Sequence, residues 1–230
     1  IGKENVARYI HANSPRASGS FVHIYAYTLQ ENSAEGTLFG FEDQSGVFHP
    51  GLLEQADGGT AYIDELLGLP ERVQSKLLGL IHDGMLIPES GKRKKVSIRF
   101  VFGSVKNELE LARDAAMNRE WYFVLSVFSI RLPPLREKKD DIIPLLNYFL
   151  ELFNEKYRTN KRFGRNVYAR LMMYDWPGNI REMKIMVNRA VIISEGEYIE
   201  LQDLFLDSNM EFIENSYEEL PERINLKQET

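Results

Sequence analysis

"GGTAYIDELLGLP", residues 58–70, decides how the rest of the chain is read. Two glycines lead into the apolar run Ala61-Tyr62-Ile63, which ends on an acidic pair, Asp64-Glu65, before Pro70 opens a helical pattern. A continuous apolar run bounded by glycines predicts a strand covered on both faces, as in a parallel sheet. Carboxylates delivered to the end of such a strand can hold a magnesium ion and orient a water. A plainer reading stays open, because an acid ahead of a helix is also stabilised by the helix macrodipole.

Upstream of this strand, residues 5–11 carry apolar side chains at helical spacing and Asn13-Ser14-Pro15 closes them. "FVHIYAY", residues 21–27, reads as a buried strand, and a short helix is expected over residues 50–56. Downstream, a helix is expected over residues 70–83, with Val73, Leu77, Leu80 and Ile81 on one face. Lys92 to Lys95 suggest a hairpin leading into a core strand at "VSIRFVFGSV", followed by helical sequence over residues 108–117. "YFVLSVFSIRL", residues 122–132, reads as a further apolar strand ended by Pro133-Pro134. From about Arg136 to Leu206 the pattern is helical throughout, interrupted at Trp176-Pro177-Gly178-Asn179. Strands alternating with helices, then helices alone, imply an α/β domain with a parallel sheet plus a helical lid.

Composition narrows the chemistry. The 230 residues suffice for one large domain and a smaller one. A net charge of -6 argues against nucleic-acid binding by the chain as a whole. No cysteine is present, which removes thiolate chemistry and disulfides and fits a cytoplasmic setting. The four histidines lack ligand spacing, so no structural zinc is expected. There is no apolar run of membrane-spanning length. The chain opens on Ile1-Gly2-Lys3-Glu4 and reads as a fragment lacking its first strand; residues 207–230 read as an acidic tail or linker.

Gly2-Lys3-Glu4 at a helix start fits the end of a phosphate-binding loop, where backbone N–H groups and a lysine cradle phosphate oxygens; Gly-Lys is also a common helix opening. Lys92-Arg93-Lys94-Lys95 reads as a solvated hairpin tip. Tyr62, Phe100, Phe102, Tyr122, Phe123 and Phe128 read as core rather than as a base-stacking platform.

Taken in order, "GKENVARYIH", "LFGFE", "PGLLEQADGGTAYIDEL", "LPERVQSKLL", "VSIRFVFGSV", "FSIRLPPLREKKDDIIPLLNYFL", "WPGNIREMKIMVNRAVI" and "YIELQDL" resemble the central AAA+ domain of the sigma-54-dependent transcription activators, the bacterial enhancer-binding proteins. The likeness runs to about Leu206. It implies a P-loop AAA+ three-layer α/β domain over residues 1–135, a small all-helical lid over 136–206, and a tail over 207–230. It also implies ATP or ADP with Mg²⁺ as cofactors, self-association between dimer and hexameric or heptameric ring, and RNA polymerase as a partner. DNA would be reached only through a C-terminal helix-turn-helix outside this chain. By matched position, Gly2, Lys3 and Glu4 belong to the phosphate loop, Asp64 is the magnesium acid and Glu65 the water-orienting acid. Arg181 in "WPGNIRE" is the lid's sensor arginine.

The departures from that pattern bear on hydrolysis. The interval that carries "GAFTGA", the loop that touches sigma-54, reads Gln44-Ser45-Gly46-Val47-Phe48-His49-Pro50. The asparagine that switches the catalytic glutamate is matched by Tyr25, and the sensor "ATN" by Gly103-Ser104-Val105. The two inter-subunit arginines fall at Asn118 and Val124, with Arg119 one residue out of register. An arginine finger is worth about 10³–10⁵ in rate, and valine cannot replace it. The expectation is therefore a regulatory, oligomerising module that binds nucleotide with weak or lost hydrolysis. The competing expectation is a working ATPase that remodels the sigma-54 polymerase, with Asn107 and Arg119 taking the sensor and finger roles after a register slip.

Overall fold

The structure is a computed structural model and describes residues 2–89, 92–114, 117 and 119–204; Asn118 and the expected tail at 207–230 lie outside the described residues. The chain divides into two compact units between Pro134 and Leu135.

The first unit runs α1 (Lys3–Ala12), β1 (Phe21–Tyr25), α2 (Ala34–Phe39), β2 (Phe41–Glu42), β3 (Phe48–His49), α3 (Leu52–Gln55), β4 (Thr60–Asp64), α4 (Glu71–Asp83), β5 (Met85–Leu86), β6 (Lys94–Lys95), β7 (Arg99–Gly103), α5 (Glu108–Arg113) and α6 (Arg119–Ser126). Strands β1, β4 and β7 form a parallel sheet with β4 in the centre. Thr60 to Ile63 are all buried, which explains why this strand is apolar on both faces. Its register sets Tyr25, Asp64 and Gly103 side by side where the three strands end.

Both glycines ahead of β4 are required by the backbone. Gly58 has a φ of 74°, a conformation that L side chains rarely adopt. A Cβ on Gly59 would lie 2.1 Å from the Ser20 carbonyl oxygen. That approach lets the Thr60 N–H donate to Ser20 O at 2.8 Å and brings β4 into line beside β1.

The two-residue period of β4 sorts its side chains. Ala61 and Ile63, with Ile24 of β1, join Leu38, Leu53, Val73, Leu77 and Trp121 in one apolar core built from α2, α3, α4 and α6. The opposite face meets α1, where His11 Nδ1 lies 2.9 Å from Thr60 Oγ1 and the Arg8 guanidinium sits 4.6 Å from the Phe21 ring centre. Helices therefore cover both faces of a parallel sheet.

Residues 122–132 are not the strand that their composition predicts: Arg119 to Ser126 are helical, and residues 129–132 belong to no helix or strand. Trp121, Val124 and Leu125 stand at helical spacing and pack on the core, which fixes the helix. Tyr122, Phe123 and Phe128 consequently turn outward and are exposed, against the expectation that they are core, whereas Tyr62 is buried and Phe100 and Phe102 pack on the cluster. Strand β1 also stops two residues early, at Tyr25, where a 3-10 turn over Ala26–Thr28 takes over. Lys94 and Lys95 pair with Met85 and Leu86 as an antiparallel ladder, and Lys94 Nζ meets Glu54 Oε1 at 2.7 Å.

The second unit contains α7 (Ile142–Tyr157), β8 (Arg162–Phe163), α8 (Val167–Met173), α9 (Asn179–Ile193) and β9 (Tyr198–Ile199). Leu146, Phe149, Val167, Leu171, Trp176, Met183 and Val187 form its core. At the break in "WPGN" the Trp176 indole is buried and donates to Leu171 O at 3.0 Å. The Glu182 carboxylate accepts from the Gly178 N–H at 2.8 Å and from the Tyr174 hydroxyl at 2.7 Å, which caps the start of α9. The unit is not helical throughout, because β8 and β9 pair in parallel. Two-residue segments carry no periodic signal; here they satisfy backbone groups that the loops would otherwise leave unpaired.

Candidate functional site

The ends of β1, β4 and β7 gather the charged residues that the sequence singles out. Asp64 closes β4, and Glu65 follows in the left-handed region with φ 59° and ψ 59°. A non-glycine residue in that region costs about 1–3 kcal/mol and persists only where its surroundings impose it. Here the Glu65 N–H donates to Gly103 O at 2.9 Å, and Glu65 O accepts from the Gly68 N–H at 2.8 Å. The reversal turns the Glu65 carboxylate onto Lys3, which stands in the first turn of α1. Lys3 Nζ donates to Glu65 Oε1 and lies 3.3 Å from Asp64 Oδ1. Lys3, Asp64 and Glu65 are thus one cluster, although the lysine lies 61 and 62 positions before the acids in the chain. Gly2 caps α1 with φ 62°.

Glu4 sits outside this cluster. Its carboxylate pairs with Arg8 at 2.8 Å and reaches His23 Nδ1 at 3.3 Å. Burial pushes the His23 imidazole below its ordinary range, with Glu4 pulling the other way. The His23 ring packs 3.7 Å from Tyr25 and 4.7 Å from Tyr62, centre to centre, and its buried Nε2 has no hydrogen-bond partner among the described residues.

Sequence reasoning placed Tyr62 in the core and overlooked its polar end. The hydroxyl donates to Asp64 Oδ1 at 3.0 Å. Burial first, then the Asp64 charge, raises the phenol well above its ordinary pKa, so it remains a proton donor. The overlooked signal was the spacing, since residues two apart on a strand share a face.

Residues 1–131 match the family described as the sigma-54 interaction domain, and residues 136–218 match the AAA+ ATPase lid domain. The chain belongs to the sigma-54 interaction domain family. It is 37% identical over 210 residues to the nitrogen fixation protein AnfA of Azotobacter vinelandii, a match covering 89% of this chain and 39% of AnfA. It is 35% identical over 199 residues to the nitrogen assimilation regulatory protein NtrX of Azorhizobium caulinodans, covering 85% of this chain and 44% of that protein. The crystal structure of NtrX from Brucella abortus in complex with ATP superposes with a TM-score of 0.80 at 31% identity, covering 88% of this chain and 48% of NtrX. The same protein in complex with ADP gives 0.79 at 32% identity, covering 88% and 46%. The chain therefore has the AAA+ P-loop α/β fold, and it spans two-fifths to one-half of these relatives.

The positions that the resemblance singled out as departures from the sigma-54 interaction domain family have structural contacts of their own. The interval matched to "GAFTGA" closes as a hairpin between β2 and β3. Asp43 Oδ1 accepts from the N–H groups of Ser45 and Val47 at 2.9 and 3.0 Å, and Asp43 Oδ2 lies 2.8 Å from His49 Nε2. Val124 packs against the core of the first unit. Asn107 caps α5, its Oδ1 accepting from the N–H groups of Leu109 and Glu110 at 3.0 Å each. Arg119 opens α6 and is exposed. Arg181 lies in the first turn of α9 in the second unit. Among the described residues no helix is long and apolar enough to cross a membrane.

Proposed function

We propose that the chain binds ATP or ADP with magnesium at the ends of β1, β4 and β7 and hydrolyses ATP weakly or not at all. It would serve as the nucleotide-responsive, oligomerising module of a transcription regulator. The observation that carries this reading is a contrast within the first unit: Lys3 meets both Asp64 and Glu65, whereas Val124, matched to a finger arginine, is packed against apolar core. The capture of ATP and ADP by NtrX from Brucella abortus supports nucleotide as the ligand.

In this reading Gly2 and Lys3 hold phosphate oxygens, with Glu4 in the same first turn. Asp64 binds the metal, Glu65 orients water, and Arg181 keeps the sensor-arginine role that the resemblance assigns to it. The donor set suits magnesium. Among the described residues no group of three His, Cys, Asp or Glu gathers, and this ion is commonly held by one or two carboxylates plus phosphate oxygens and waters. When bound, the ion neutralises charge on the β- and γ-phosphates. An incoming phosphate must also draw Lys3 away from Glu65, freeing that carboxylate for water. The α/β module would take residues 1–135, the lid 136–206 and a tail 207–230. Self-association into a dimer or ring, contact with RNA polymerase and DNA binding through a separate helix-turn-helix would belong to the longer protein. Asn107 gives the active-ATPase alternative little support, since its side chain is engaged in capping α5.

Steady-state phosphate release by the full-length protein with ATP and Mg²⁺ tests the proposal. The expected result is a rate near background that Glu65→Gln leaves unchanged. Robust turnover abolished by Glu65→Gln would overturn it.

A further inference from the structure

Tyr62 precedes Asp64 by two residues on β4, so the strand turns both side chains to the face that α1 covers. The tyrosine is 1% exposed, and its ring is held between His23 and Phe21, with centres 4.7 and 6.3 Å away. Its hydroxyl donates to Asp64 Oδ1, the oxygen that Lys3 Nζ also approaches at 3.3 Å. Both of these contacts are made to Oδ1. A carboxylate held in this way offers one oxygen in a fixed direction.

The hydroxyl fits only because residue 103 lacks a side chain. A Cβ built on Gly103 would lie 2.4 Å from the Tyr62 hydroxyl oxygen and 2.5 Å from Asp64 Oδ1. Both distances are shorter than real Cβ contacts allow. The register explains the closeness, since Gly103 is the direct partner of Asp64 across β4 and β7. The resemblance matches Gly103 to the alanine that opens the "ATN" sensor. The missing methyl and the tyrosine hydroxyl are thus two halves of one fitted contact.

We propose that Tyr62 is a positioning residue for magnesium: seated in the notch left by Gly103, its hydroxyl pins Asp64 so that a single carboxylate oxygen meets the metal of a bound Mg-nucleotide. The inference rests on the nucleotide-binding reading above. Outer partners that orient metal ligands typically contribute about 10–100-fold to metal affinity.

The test is a titration of the full-length protein with a fluorescent ATP analogue, in excess Mg²⁺ and in EDTA, for the wild type, Tyr62→Phe, Gly103→Ala and the double variant. Wild type is expected to bind more tightly with Mg²⁺. Tyr62→Phe should lose roughly tenfold of that gain while its affinity in EDTA and its thermal midpoint stay those of wild type. Gly103→Ala should lose a similar share, and the double variant should fall short of the sum, because both substitutions break the same contact. A Tyr62→Phe protein that keeps its Mg²⁺-dependent gain within twofold overturns the role of Tyr62 and leaves nucleotide binding standing. A wild type that binds in neither buffer overturns the nucleotide reading and this inference with it.

Discussion

The ends of the central strands and the rim of the first unit hold their residues by different rules. At the strand ends, Lys3, Asp64 and Glu65 are brought together by the register of buried strands and by a Glu65 backbone that Gly103 holds in the left-handed region. At the rim, the hairpin of β2 and β3 and one face of α6 carry the residues that the resemblance matched to the sigma-54 loop and a finger arginine. The lesson lies in what each residue is attached to. A side chain on β4 cannot move without disturbing three strands. A hairpin tip or a helix face can exchange its chemistry while the core stays closed.

Trp121→Ala is the strongest way to break that comparison. Trp121 is fully buried, packed edge-on against Phe102 at 5.4 Å between centres, and belongs to the same core as Ile63 of β4. Truncating a buried tryptophan typically costs about 3–5 kcal/mol. Denaturant unfolding of the first unit should show a loss of that size. A loss below about 1 kcal/mol would mean that α6 is a detachable rim element rather than part of the core under β4.

The same contrast governs what could be read from sequence. The central strand, α1, α4 and the acidic pair were legible because long periodic runs and a terminal carboxylate pair leave a strong pattern. Lys3 was legible only as a weak motif, and the fold is what brings it to the acids. The reading failed at α6 because "YFVLSVF" is rich in aromatic and β-branched residues, which mimic a strand. The helical spacing of Trp121, Val124 and Leu125 was present, but exposed Tyr122 and Phe123 filled the gaps between them. Strands β8 and β9 are too short to carry any period. The hydroxyl of Tyr62 went unseen because an apolar run was read for its burial alone.

Val124→Arg sharpens the comparison at the finger position. Val124 is half-buried against core, so a longer charged side chain overpacks the site and should cost about 1–3 kcal/mol. Phosphate release should remain near background on the proposed reading, in which Tyr25 and Val105 stand at the positions that the resemblance matches to the switch and sensor groups. A rise of more than about tenfold, against the 10³–10⁵ that a seated finger supplies, would show that residue 124 reaches a neighbour's nucleotide and that the rim has lost only its side chain.

The smallest effect is expected at the hairpin, where acid should loosen the turn and leave the strand ends untouched. Hydrogen bonds from the Ser45 hydroxyl first, then His49, then the Val47 N–H hold the Asp43 carboxyl well below the usual carboxylate range. A depressed folded-state pKa means that the carboxylate's contribution is complete above the unfolded value of about 3.9. It is lost as pH falls through the lower, folded value. The protection of the Val47 amide, the slowing of its exchange relative to the intrinsic rate of an unstructured peptide at the same pH, should therefore be level above about pH 4 and should fall below it. Asp43→Ala should remove that step and leave ATP-analogue affinity unchanged. If Asp43→Ala weakens nucleotide binding, the hairpin is coupled to the strand ends and the two regions are not independent. Their separation has a physical basis, because the contacts that hold Asp43 all come from within residues 43–49, and none comes from β1, β4 or β7.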